Sequence, residues 1–110
     1  MNVSKEYLDF VMDKLTLIGD VKSRAMFGGY GIFYGGLMFA LISEDVLYFK
    51  VNDSNREMYE KAGSSVFPHG ISYWGVPDDV LEDNEKLHEW AGISIDTAQA
   101  AQAAKGKKRR

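Results

Sequence analysis

The sequence predicts an α+β domain of two layers, an antiparallel sheet with helices. Three observations predict it. Two strand-like runs, "LMFALI" (37–42) and "VLYFKV" (46–51), are joined by "SED" alone, a connection short enough for an antiparallel hairpin. Toward both ends the apolar residues recur at three- and four-residue spacings, the period of a helix. With 45% apolar and 26% charged residues over 110 positions, the chain has the composition of one globular domain built on a single core.

The elements follow in order. Residues 5 to 18 place Tyr7, Leu8, Val11, Leu15 and Ile18 on one helical face. Ser4 is a suitable N-cap and Gly19 a suitable stop. "MFGGYGIFYGG" (26–36) holds five glycines and four aromatics. It reads as one long first strand kinked at Gly28 and Gly29, where a bulge or tight bend needs glycine. Gly35-Gly36 is a two-residue turn that folds "YGIFY" back onto "LMFALI". "SNRE" (54–57) has the form of a capping box, with Ser54 as cap and Glu57 reaching back. Its helix buries Met58, Tyr59 and Ala62 and stops at Gly63. "SVF" and "ISYW" flank Pro68-His69-Gly70 as a second hairpin, and Pro77-Asp78-Asp79 opens a short helical turn. The last helix runs from near Asp83 to about Ala104 through Leu87, Trp90, Ala91, Ile95 and Ala98. The expected order is α-β-β-β-α-β-β-α, with a domain over 1–104 and a basic tail over 105–110.

Several function classes find no support. Without cysteine there is no disulfide, thiolate nucleophile or cysteine metal site. Gly29-Tyr30-Gly31 lacks the third glycine of a dinucleotide fingerprint and leads into a strand rather than a helix, and no Gly-Lys-Ser/Thr follows. Residues 25 to 43 carry no charged side chain, yet the Gly35-Gly36 turn breaks the stretch, so no membrane span is expected. "MNVSKEYLDF" lacks the apolar core of a signal peptide, which makes a cytoplasmic protein the expectation. Ser64 and Ser65 lack the flanking glycines of a nucleophile elbow. Of the two histidines, His69 sits in a Pro-Gly turn. His88 shares a helix face with Glu85 and Glu89, read here as a solvated face because no second helix supplies the matching ligands. Asp78, Asp79, Glu82, Asp83 and Glu85 form an acidic cluster without the spacing of a calcium loop. No catalytic residue, metal or cofactor is expected.

Charge divides the chain unevenly. The net charge is −3, but Lys105, Lys107, Lys108, Arg109 and Arg110 stand among the last six residues. Residues 1–104 hold eight basic and sixteen acidic side chains, a net of −8. An acidic body repels nucleic acid while a basic tail attracts phosphate. The tail therefore reads either as a solubilising end or as a nucleic-acid contact. Arg24 and Lys50 are charges in otherwise apolar strands. They either snorkel beside the sheet or form a basic rim around an aromatic groove of Phe27, Tyr30 and Tyr48 at the Gly28-Gly29 kink. Tyr73 and Trp74 add aromatic surface there, and alternation sends them to opposite faces, so that at most one is core. Such a surface suits a peptide or helix partner, or stacked single-stranded bases.

The run from Arg24 through Met26-Phe27-Gly28-Gly29 and Gly31 to Met38-Phe39-Ala40, followed by Lys50, Asn55-Arg56 and "SYWGVPDDVLED", resembles the N-terminal domain of the TfoX/Sxy family, regulators of bacterial competence. The likeness covers roughly residues 20 to 92. It implies a fold like the secretion-chaperone class, homodimers, and a role in switching on competence genes through the cyclic-AMP receptor protein. The family offers no catalytic residues to carry over. Its longer members add a C-terminal helical domain, whereas this chain continues as an alanine-rich helix and "KGKKRR". The sequence thus reads as a regulatory module acting by protein–protein contact, with a nucleic-acid-binding accessory protein led by the tail as the alternative.

Overall fold

Ser4 opens the first helix as its side chain dictates: Ser4 Oγ accepts the Tyr7 N–H at 3.1 Å, and α1 runs from Lys5 to Leu15. The computed structural model describes residues 3–26, 28–68 and 72–108, the last four as backbone. Val11 and Leu15 are fully buried, with Tyr7, Leu8 and Ile18 packed beside them.

Four strands follow where three were expected: β1 (Val21–Met26), β2 (Gly29–Tyr34), β3 (Leu37–Ser43) and β4 (Val46–Lys50). The chain reverses through Gly28 instead of kinking within a single strand, and Gly29 opens β2, so that Met26 faces Gly29 across an antiparallel pair. Gly28 adopts φ 78°, and a Cβ on Gly29 would strike the Ile42 carbonyl oxygen. A tight turn and a bulge make the same demand for glycine, which is why the sequence does not separate them. The next two turns obey the two-residue rule for positive φ: Gly35 and Gly36 at 58° and 83°, Glu44 and Asp45 at 52° and 59°. Asp45 Oδ1 also accepts the Ser4 N–H at 2.8 Å, fixing the start of α1 to this turn.

After β4, Asn52 holds Ser54 in a local turn, and Ser54 does not cap the next helix as expected. Asn52 Oδ1 accepts from the Ser54 N–H and hydroxyl at 2.8 and 2.6 Å, while Asn55 Oδ1 accepts the Asn52 N–H at 2.8 Å. These local turns leave α2 (Arg56–Lys61) with no side-chain cap, because the Ser54 oxygen is already held one turn earlier. α2 buries Tyr59, half-covers Met58 and leaves Ala62 exposed. The expected second hairpin shrinks to one bridge, Val66 with Trp74, beside a short β5 (Tyr73–Gly75). Pro68, lacking an N–H, cannot extend the ladder; His69, Gly70 and Ile71 lie outside the described residues. α3 (Asp78–Leu81) is a single turn. α4 (Asn84–Lys108) begins under Asp83, whose carboxylate accepts the Lys86 N–H at 3.2 Å, and its backbone stays helical past Ala104.

The observed order is α-β-β-β-β-α-β-α-α, an α+β fold with a wholly antiparallel sheet in the order β1-β2-β3-β4-β5. A bulge in β3 inserts Phe39 between the pairs Ile32–Ala40 and Phe33–Met38, so that Phe39 and Ala40 are both buried. Ile32, Phe39, Ala40, Ile42, Leu47 and Phe49 from the strands meet Val11 and Leu15 of α1 and Leu87, Ala91, Ile95 and Ala98 of α4 in one core. The helices thus cover one face of the sheet.

Candidate functional site

The other face carries no helix among the described residues. Alternation along each strand sets its side chains in rows that cross the sheet. One row reads Arg24, Gly31, Leu41, Tyr48 and Gly75; its neighbour reads Lys22, Phe33 and Met38, then Lys50 and Tyr73. Leu41 and Tyr73 are only 7% and 5% exposed, yet both stand outside the core cluster. Their own neighbours on this face enclose them.

Glycine at position 31 permits that packing. A Cβ there would come within 2.5 Å of Met26 Sδ and 3.1 Å of Met38 Sδ, so the two methionines and Phe33 close over bare backbone. The Arg24 guanidinium lies 4.8 Å from the centre of the Phe33 ring, and Lys50 Nζ lies 5.4 Å from that of Tyr73. These are distances at which the face of an aromatic ring attracts a cation. Neither cation forms an ion pair among the described residues. Phe67 adds its ring edge-on at 4.9 Å to Tyr48. Burial pushes the Tyr73 phenol up to about 12. It also raises Tyr48, helped by the charge of Glu44. Both are neutral near neutrality and can donate hydrogen bonds, as Tyr73 does to the Met38 carbonyl at 3.4 Å.

Behind Lys50 lies a polar knot. Its carbonyl accepts the Ser94 hydroxyl at 2.8 Å and Asn55 Nδ2 at 3.2 Å. Both donors are buried, so the end of β4 is bound to α2 and α4 while the Lys50 side chain stays on the open face. Arg56 pairs with Asp53 nearby.

Of the residues singled out from sequence, Arg24, Tyr48 and Lys50 share the helix-free face. Tyr30 does not join them: it pairs with Ala25 and Ile42 in a helix-side row. Trp74 lies on that side too, its ring 6.3 Å from Tyr59 and packed on the core. Tyr73 and Trp74 do face opposite ways, but neither is an exposed aromatic, because the open face encloses Tyr73 as fully as a core would. Gly28 belongs to the turn at the end of this face and Gly29 opens β2, so neither kinks a strand within a groove. Phe27, His69, Arg109 and Arg110 lie outside the described residues. Lys105, Lys107 and Lys108 belong to the final backbone turns of α4. Sequence reasoning missed Met26, Phe33, Met38 and Leu41; alternation from Arg24 gives the side of the first three once the reversal at Gly28 is known, and that of Leu41 only with the bulge at Phe39 as well.

His88 also departs from its reading as part of a solvated face. It is half-buried, and its Nε2 hydrogen-bonds the Lys14 carbonyl at 2.8 Å, joining α4 to the last turn of α1. Glu85 and Glu89 are exposed. Among the described residues no three acidic or histidine side chains converge as metal ligands would, and no helix is long and apolar enough to cross a membrane.

Five residues of the run quoted above (Arg24, Met26, Gly31, Met38 and Lys50) meet on this face, and a sixth, Asn55, holds Lys50 from behind. The TfoX N-terminal domain matches residues 13–98 of the 110. The chain belongs to that family. No curated protein is similar enough to the chain to be matched. As a TfoX-like protein, it sets this combination of cations, methionines and glycine on a sheet face that its own helices leave open.

Proposed function

We propose that this TfoX-like chain is a regulatory module that acts through protein–protein contact in the control of transcription of competence genes, with the cyclic-AMP receptor protein as its partner. The observation that carries the reading is the segregation of charge. The five strands contain no aspartate or glutamate and present Lys22, Arg24 and Lys50 on the helix-free face. Helices and loops hold all sixteen acids. A basic rim around the half-buried Phe33, Met38 and Tyr48 fits a partner surface of apolar residues ringed by acids, since charge complementarity orients and accelerates docking. It disfavours pairing of this face with a second copy of itself, so the homodimer implied by the family would use another surface. Titration calorimetry of the full chain against the purified receptor protein tests the reading. Saturable binding is expected, weakened about tenfold by Lys50→Glu in a variant that keeps its circular dichroism spectrum; the absence of binding heat overturns it.

A second reading, nucleic-acid binding by the basic end, is favoured by α4. Residues 99–104 are exposed all round and the backbone stays helical through Lys108, which carries the lysines away from the acidic body.

A further inference from the structure

We infer that the free edge of β1 receives an extended, acidic strand of a protein partner, which pairs with the backbone of Ser23 and Ala25 and sets its carboxylates against Lys22 and Arg24. The inference rests on the protein-contact reading and adds to it the chemistry and the mode of docking.

The two edges of the sheet differ. At β5 the segment before Pro68 closes the edge, with Phe67 N–H donating to the Tyr73 carbonyl at 2.7 Å and Gly75 N–H to that of Ser65 at 2.9 Å. β1 is twice as long, six residues against three, and among the described residues nothing pairs with its outer side. Its bonding pattern follows from the register. Antiparallel pairs alternate between those that exchange both backbone hydrogen bonds and those that exchange none. A two-residue connection makes Met26 and Gly29 an exchanging pair, and therefore Arg24 with Gly31 and Lys22 with Phe33. Ser23 and Ala25 then aim N–H and C=O away from β2. Val21 obeys the same alternation, its N–H bonding the Gly19 carbonyl at 2.9 Å.

Charge selects the occupant. Edge cations deter indiscriminate strand pairing, and here they also exclude a second copy. About a two-fold axis normal to the sheet, opposed residues share a face. In the registers that pair most of the strand, Lys22 or Arg24 then meets Lys22 or Arg24 of the other copy, an unfavourable contact. The chain's own basic end is excluded for the same reason. An acidic strand turns the penalty into attraction while its backbone completes the ladder. A cleft of about 300 Å³ lies along this edge, lined by Asp20, Lys22, Ser23, Arg24 and Phe33 with the Gly35-Gly36 turn, and gives room for the incoming side chains, its two cations outnumbering its one carboxylate. Lys22 contacts Asp20 at 3.5 Å, an exposed pair that a better-placed carboxylate displaces at little cost.

The test uses the full chain and a short peptide alternating valine and glutamate, followed by amide hydrogen exchange. Saturating peptide should slow exchange at Ser23 and Ala25 about tenfold or more, and leave Lys22 and Arg24, whose N–H groups already bond β2, unchanged. Methylating the peptide nitrogens on one edge should abolish binding and on the other leave it intact. A lysine-for-glutamate peptide should not bind, and Lys22→Glu with Arg24→Glu should weaken the acidic peptide about tenfold or more. The inference is overturned by equal binding of both methylated forms, by protection spread over the open face, by indifference to the double charge reversal, or by Ser23 and Ala25 being protected in a dimer of the chain alone. If the peptide result fails while Lys50→Glu still weakens the receptor protein, the contact reading stands and only the strand addition falls.

Discussion

Asn55 ties the end of β4 to the start of α2. It is buried, accepts the Asn52 N–H and donates to the Lys50 carbonyl. Replacement by alanine leaves the Asn52 N–H without its acceptor and the Lys50 carbonyl with the Ser94 hydroxyl alone, a loss of about 2 kcal/mol, read as a lower urea midpoint. Gly29→Ala should cost about as much or more, since its Cβ meets the Ile42 backbone rather than a movable side chain; Gly31→Ala, whose Cβ meets the flexible end of Met26, should cost less. Two buried phenols give the fold an alkaline limit. Burial raises Tyr73 to about 12 and raises Tyr59 as well. The Tyr59 hydroxyl finds no hydrogen-bond partner among the described residues, and the Ser94 hydroxyl beside it, already donated to Lys50, offsets only part of that burial. The folded chain therefore keeps protons that the unfolded chain releases above pH ~10. Stability is whole below that pH and falls as pH rises through about 12, with a shallower fall in Tyr73→Phe; urea titrations on either side of pH ~10 check it. At this scale the site was half legible: Arg24, Tyr48 and Lys50 stand out as charges and an aromatic in strands. The side taken by Tyr30 depends on whether the chain bends or reverses at Gly28, and a reversal deals out the faces anew.

At the scale of elements, the strongest local signals were those the fold obeyed. The periodicity of α1 and α4 survives because each lays one apolar face on the sheet, and the Ser4 cap forms as its side chain requires. Ser4→Ala should cost about 1 kcal/mol; since the Asp45 contact uses the Ser4 backbone N–H, it survives the change, and a larger loss in thermal melting would show that the cap does more than hold one N–H. The turn at 35–36 was legible because a two-residue loop favours few sequences; the one within "SED" was legible from the strand-like runs on either side, though it takes only Glu44 and Asp45 while Ser43 ends β3. What escaped were competitions between near-equals: Asn52 against Ser54 for the turn before α2, and Pro68 against a continuous second hairpin. Each is decided by a few local hydrogen bonds made or forgone, which propensity does not resolve.

Over the whole molecule, strands free of acid and a body of net charge −8 over residues 1–104 make opposite predictions for opposite partners. Labelled duplex DNA should show fluorescence anisotropy with the full chain only if Lys105 to Arg110 dominate, and a 1–104 truncation should then lose it, with a salt slope of about one unit per phosphate neutralised. Equal silence of both forms at moderate salt leaves the basic face as the surface that matters. The strand order β1-β2-β3-β4-β5 has a consequence in time. Each of the first four strands meets its sequence neighbour through a connection of two residues, so the meander closes by short loops, which form fast. The core does not. Leu87, Ala91 and Ile95 reach it from α4, and the contact of His88 with Lys14 spans 74 positions. During synthesis the sheet can therefore be covered only by α1, with the α4 share of its core bare, until residues 84–98 have left the ribosome, and substitutions at Ala91 or Ile95 should speed unfolding while leaving the folding rate of the finished chain nearly unchanged.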